Sequence, residues 1–167
     1  MNTASESPLA PHSLDGKRVL VTGSSRGIGA DTASYFAGAG ARVAINYRNK
    51  EARALKLVAQ IEDAGGSAIA IGADLTDSDS VAALVDRVRE EFGGLDILVL
   101  NASGGMESGM AEDYAMQLNR DAQVNFLAAV RPLLGAGSRI VFVTSHQAHF
   151  IKTVPTMPEY LPVALSK

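Results

Sequence analysis

The sequence of 167 residues contains no cysteine, which excludes disulfides and thiolate metal sites and permits a reducing compartment. It has no apolar run approaching the ~20 residues that a membrane span needs. Its opening, MNTASESPLAPHSLDG, lacks a basic segment followed by an apolar one, so it does not read as a secretory signal. Serine, proline and small polar residues there predict a flexible leader over 1–13. Neither sign of charge dominates: 15 Lys+Arg against 18 Asp+Glu leave a net −3. Such a balance asks for no nucleic acid and no anionic membrane surface, and the expectation is a cytoplasmic protein. What the chain does have is 47% hydrophobic and 20% charged residues, enough for a globule with a real core. Its length suits one domain, by the rough prior of about 150 residues each.

The stretch KRVLVTGSSRGIG organises the rest. Val19, Leu20 and Val21 form a short apolar run that reads as a buried strand. A glycine-rich turn follows at Gly23, Gly27 and Gly29, and then Ile28, Thr32, Tyr35 and Phe36 recur at helical steps. Strand, glycine turn and helix together make a pyrophosphate holder: glycines admit phosphate oxygens to backbone N–H groups, and the helix N-terminus adds about half a positive charge. A mononucleotide P-loop would need Lys-Ser/Thr after the last glycine, but Ala30 and Asp31 stand there. The G-x-G-x-x-G spacing is also absent, because the order is Gly23-x-x-x-Gly27-x-Gly29.

The alternation continues along the chain. Strands are predicted at Arg42–Tyr47, Ser67–Gly72, Leu95–Leu100 and 139–144. Helices are predicted over 51–64, with Leu55, Val58 and Ile61 on one face, and from the N-cap cluster Thr76-Asp77-Ser78-Asp79 through VAALVDRVREEF. A third, over 112–134, offers Val124, Leu127, Ala128 and Val130 for packing. Short apolar strands between helices argue for an α/β fold, a doubly wound parallel sheet of at least five strands over 14–167. Ligands then bind at the carboxyl ends of the strands.

The pattern TGxxxGxG, with NASG directly after LDILVL, resembles the short-chain dehydrogenases/reductases. The resemblance implies an oxidoreductase transferring a hydride between NADP(H) and a carbonyl or secondary alcohol, and a homo-oligomer at full length. Gly23, Ser25, Arg26, Gly27, Ile28 and Gly29 would wrap the cofactor diphosphate. Asp74 and Leu75 fall where the family contacts adenine, although Asp74 also suits the start of the next helix as a dipole partner. Asn101, Ala102, Ser103 and Gly104 would lie against the cofactor ribose. After the second strand come Asn46-Tyr47-Arg48 with no carboxylate. Arg48 with Arg26 would suit a 2′-phosphate, favouring NADP(H) over NAD(H); the plainer reading of Arg48 is a solvated loop residue.

The family's catalytic set is Asn, Ser, Tyr and Lys. A tyrosine at its ordinary pKa of about 10 is a poor base, so a nearby cation must lower it. Asn125 in QVNFLAAV and Ser145 in VTSHQAHF match the first two. The family's Tyr-x-x-x-Lys becomes Tyr160 and Lys167, with Ala164 at the fourth position. Seven helical residues bring a side chain to within ~20° of the same face, about a turn further along than four do. Pro162 belongs in a first helical turn, which puts Tyr160 just before that helix. The opposing alignment fixes Lys167 and puts Val163 in the tyrosine's place. His146 and His149, with no carboxylate or cysteine nearby, make no metal site and read as loop residues beside Met106, Met110 and Phe150 at a partly apolar substrate wall. Family members run on for roughly a third of their length beyond Lys167, so the competing reading is a nucleotide-binding fragment or a non-catalytic sensor or interaction protein similar to this family.

Overall fold

The computed structural model describes residues 8–104, 113–153 and 155–167. Among them, five parallel strands form one sheet in the order β3-β2-β1-β4-β5. The strands are β1 Arg18–Val21, β2 Arg42–Tyr47, β3 Ser67–Gly72, β4 Leu95–Leu100 and β5 Leu134–Phe142. Helices α1 Gly27–Gly38, α2 Glu51–Asp63 and α3 Ser78–Phe92 make the first crossovers. The chain runs outward from β1 to β3, then returns to β4 on the other side of β1, so the topological switch falls between β1 and β4. The expected doubly wound sheet is present.

Both faces of β1, β2 and β4 are covered and their interiors alternate between two cores, whereas the edge strand β5 is largely exposed, Phe142 to 57%. Leu20, Ala44 and Leu98 pack with Leu84, Val88 and Phe126 on one side. Val19, Val21, Val43 and Ile45 pack with Ala33, Ala37, Leu57 and Ile61 on the other. Small residues set the approach of α1: Gly29, Ala33 and Ala37 are its buried positions, while Ile28 is 68% exposed. On α2 the buried stripe is Ala54, Leu57 and Ile61, and Leu55 is 52% exposed. The expected stripe of Leu55, Val58 and Ile61 thus keeps Ile61 but is displaced by one residue at its first two positions. Leu57 and Ile61 are four apart, which is the spacing one helix face requires.

Where the helix over 112–134 was expected, described residues run Tyr114–Met116 (α4), a π-helical turn Gln117–Asp121, Ala122–Val130 (α5), and a 3-10 turn Arg131–Leu133. The face toward the core is Ala122, Gln123, Phe126 and Val130; Val124 and Ala128 face outward, contrary to the sequence pattern. Strand β5 begins earlier than expected because Leu134 pairs with Leu95 before a register shift brings Arg139 opposite Ile97. His146–Phe150 forms a short helix, α6, rather than a loop, and Leu161–Ser166 forms α7. Met106 and Met110 lie outside the described residues. No helix of the described residues is long and apolar enough to cross a membrane.

The innermost strands are tied at their amino ends by a forked ion pair. Arg18 Nε donates to Asp96 Oδ2 at 2.8 Å and Nη2 to Oδ1 at 3.2 Å, while the Arg18 backbone N–H also reaches Oδ2 at 2.9 Å. The Arg18 guanidinium holds the Asp96 carboxyl below the ordinary carboxylate range, against the opposing effect of burial. A depressed carboxyl pKa stabilises the fold above the unfolded value and ceases to do so as pH falls through the folded one. Asp96→Asn is therefore expected to lower the urea midpoint near neutrality. The difference from the wild type should shrink on acidification from about pH 5 to about pH 3. A difference constant across that range would separate Asp96 from the acid limb.

Candidate cofactor cleft and catalytic edge

The turn after β1 is built by side chains that sit at the carboxyl ends of three strands. Thr22 is fully buried; its Oγ1 donates to Val99 O at 3.3 Å and accepts from the N–H groups of Asn101 at 2.9 Å and Ala102 at 3.0 Å. Asn101 answers with its amide, donating to Thr22 O at 2.9 Å and Gly23 O at 3.1 Å. From β2, Asn46 Oδ1 accepts the Gly23 N–H at 3.1 Å, and its amide donates to Ile71 O and Ala73 O at 3.3 and 3.2 Å. The glycine turn is thus pinned from both sides of β1. Asn46 and Thr22 are the two residues of this frame that the motif reading passed over; each is a polar residue ending an apolar strand, which is the signal that marks them.

The glycines fill the room that remains. Gly23 has φ +61°, and a Cβ there would stand 2.8 Å from Ala102 Cα. A Cβ on Gly29 would stand 2.5 Å from the Asn101 amide. Gly27 has φ +56° with nothing within 4 Å of its missing Cβ; open space lies in front of it, where a phosphate can approach. Arg26 is the residue before α1, in extended conformation, and no side chain caps the helix. The first N–H groups of α1 therefore face outward without intrahelical partners.

Beside this turn lies a cleft of about 270 Å³. The expected residues Gly23, Ser25, Arg26, Tyr47, Arg48, Asp74, Leu75, Ala102 and Ser103 line it. Asn101 stands behind the wall as a brace, and Gly104 is gripped by Asn119. Lys50 and Arg53 add two cations that the sequence reading did not single out. Arg48 Nη1 donates to Tyr114 Oη across the mouth, and its guanidinium lies 5.7 Å from that ring's centroid. Asp74 Oδ1 accepts from the N–H and hydroxyl of Thr76, so it also organises the turn into α3. Tyr47 Oη donates to Glu51 Oε1 at 3.0 Å; burial first, and then this carboxylate, hold its phenol above the ordinary value.

The catalytic candidates are placed differently: Lys167 reaches the end of β5 beside Ser145, Tyr160 precedes α7, and Asn125 lies elsewhere. Ser145 lies half-buried between β5 and α6. Lys167 Nζ donates to Val143 O at 3.0 Å, two residues before that serine, and Thr144 Oγ1 donates to Lys167 O at 3.4 Å. Burial pushes the Lys167 ammonium below its ordinary pKa. Tyr160 closes the 3-10 turn Pro158–Tyr160 and precedes α7, as Pro162 in the first turn implies. Val163 is buried, four residues before Lys167.

Asn125 is exposed on α5 and is not brought to this edge. Asn119 is. It sits buried in the π-helical turn, accepts from Gly104 N at 3.1 Å, and donates to Gly104 O at 3.0 Å and Ser166 Oγ at 2.9 Å. The difference has a plain geometric cause: Asn119 falls on the stripe with Ala122, Gln123 and Phe126, whereas Asn125 shares the outward face of Val124 and Ala128. π-turns of this kind concentrate at functional sites.

Comparison with known proteins identifies the family and the fold. The sequence pattern of the family described as short chain dehydrogenase matches residues 17–161. The chain belongs to that family. It is 38% identical over 146 residues to the short chain dehydrogenase/reductase AacuN of Aspergillus aculeatus, covering 84% of this chain and 55% of that protein. It is 40% identical over 154 residues to versicolorin reductase stcU of Emericella nidulans, covering 88% and 58%. A short chain dehydrogenase from Burkholderia cenocepacia, solved in complex with NADP, superposes with TM-score 0.80 at 44% identity, covering 92% of this chain and 64% of that one. A 7α-hydroxysteroid dehydrogenase solved with NADH and a 7-oxo bile acid superposes with TM-score 0.81 at 31% identity, covering 93% and 61%. The chain thus spans little more than half the length of these curated relatives.

Removing the buried Thr22 hydroxyl strips two N–H groups of their acceptor. Thr22→Val is expected to cost about 1–3 kcal/mol of unfolding free energy, read as a lower urea midpoint with an unchanged slope. A loss below the error of the fit would show that water replaces the hydroxyl.

Proposed function

We propose that this chain supplies the cofactor cleft and the reacting edge of an NADP(H)-dependent oxidoreductase that interconverts a carbonyl and a secondary alcohol. The observation that carries this reading is the lining of the cleft, where Arg26, Arg48, Lys50 and Arg53 surround the ends of β1 and β2. A diphosphate fits the open N-terminus of α1 in front of Gly27, and a further phosphate on the ribose suits several guanidinium groups better than a lone hydroxyl would. NAD(H) has no carboxylate among Tyr47, Arg48, Asn49 and Lys50 to receive its 2′-hydroxyl.

When bound, a nicotinamide cofactor gives or takes the hydride. The chain's own residues handle orientation and the proton. In this reading Ser145 donates to a substrate carbonyl oxygen, and Tyr160 is the proton donor to the alkoxide that forms on reduction. Lys167, held against the end of β5, keeps a positive charge beside that oxygen. Asn119 braces Gly104 and, through Ser166, the last turn of α7, so the nicotinamide-facing loop and the lysine share one support. The substrate is a small carbonyl or alcohol compound. The exposed face of α5 around Val124, 63% exposed, suits self-association of a longer protein.

Activity is read as loss of nicotinamide absorbance with a panel of carbonyl compounds, in the chain carried to the length of its relatives. Ser145→Ala and Tyr160→Phe are each expected to lower kcat by about 100-fold or more while NADPH affinity stays within about twofold. Turnover by Tyr160→Phe at the wild-type rate would remove the tyrosine from the reaction. Absence of turnover by the wild type with NADPH bound would overturn the oxidoreductase reading.

A further inference from the structure

The charged side chains around the cleft are treated in two different ways. Arg26, Arg48, Lys50 and Arg53 line it, and none of them enters an ion pair among the described residues. Two carboxylates go with them, Asp74 in the far wall and Glu51 outside the lining, and each is held by a hydroxyl. Thr76 holds Asp74 at 2.7 Å, and Tyr47 holds Glu51 at 3.0 Å. Glu51 opens α2 between Lys50 and Arg53, yet it is absent from the cleft wall while both of those cations are present. Tyr47 itself cannot drift: it rests on Gly72, where a Cβ would stand 3.1 Å from the phenol ring.

We propose that Tyr47 is a positioning residue for cofactor choice, its hydroxyl holding the Glu51 carboxylate out of the cleft so that no carboxylate from the end of β2 or the start of α2 meets the ribose 2′ position. This inference rests on the reading that a nicotinamide dinucleotide binds here. Released from the phenol, Glu51 can turn about its side-chain bonds toward the ends of β2 and α2. There it would accept from a 2′-hydroxyl and repel a 2′-phosphate, the same two contacts that separate the cofactors physically. The tether therefore works by withholding the wrong charge, and its loss changes the ratio of the two affinities rather than their common level.

The test is direct binding of NADPH and NADH to the chain, measured by calorimetry for the wild type, Tyr47→Phe, Glu51→Gln and the double variant. Tyr47→Phe is expected to lower the NADPH-to-NADH affinity ratio about fivefold, the scale of one exposed charge at close range. In the double variant the ratio should return to within about twofold of the wild type, because no carboxylate remains to be released. Equal weakening of both cofactors by Tyr47→Phe would overturn the inference, as would a double variant that keeps the lowered ratio. Binding with an unmoved ratio removes only this inference; a wild type that binds neither dinucleotide removes the functional reading with it.

Discussion

The site depends on one buried arrangement, the clasp of Thr22, Asn46 and Asn101 around the glycine turn. A turn made of Gly23, Gly27 and Gly29 has little of its own to hold it, since glycine gives up more conformational freedom on folding than any other residue. The cost is met by side chains from β2 and β4 that saturate the backbone groups of Thr22 and Gly23. Each of these residues is also the last polar group of an otherwise apolar strand. The core that buries the strands and the frame that shapes the turn are therefore one structure.

The same topology explains why the charges gather where they do. Strands β1, β2 and β4 are neighbours in the sheet, so their carboxyl ends meet at the switch point. Cations from the turns after β1 and β2 collect on one side of that point. The polar groups of Asn119, Ser166 and Lys167 collect on the other, beside the end of β5. A molecule with a phosphate-rich end and a reactive end spans the two. The π-helical turn matters in this respect because it swings Asn119 into contact with Gly104, linking the cleft wall to α7.

Most of the architecture was legible in the sequence. Apolar strands of four to six residues between glycine stops leave few alternatives to a parallel sheet, and β1 to β4 lie where the pattern puts them. The helix faces were less legible. Leu55 and Val124 are large and apolar, so they attract assignment to the core, whereas Ala54 and Ala122 do the packing because the helices lie close to the sheet. The asparagines were less legible too: QVNFLAAV draws attention to Asn125, which is exposed, while Asn119 is buried in the π-helical turn. The cations at Lys50 and Arg53 were hidden by lying in a helix start, where a charged residue is ordinarily a solvated one. The start of α7 just after Tyr160 was legible through Pro162 in its first turn.

The central claim is that the open N-terminus of α1 receives a diphosphate. Titration of NADPH into the ¹⁵N-labelled chain tests it most directly, with the amide signals of Gly27, Ile28 and Gly29 as the readout. Saturable displacement of those three signals, together with shifts at Arg48 and Arg53, is the predicted result. Signals of Gly27 to Gly29 that stay in place while NADPH saturates the chain elsewhere, or while it fails to bind at all, would contradict the account.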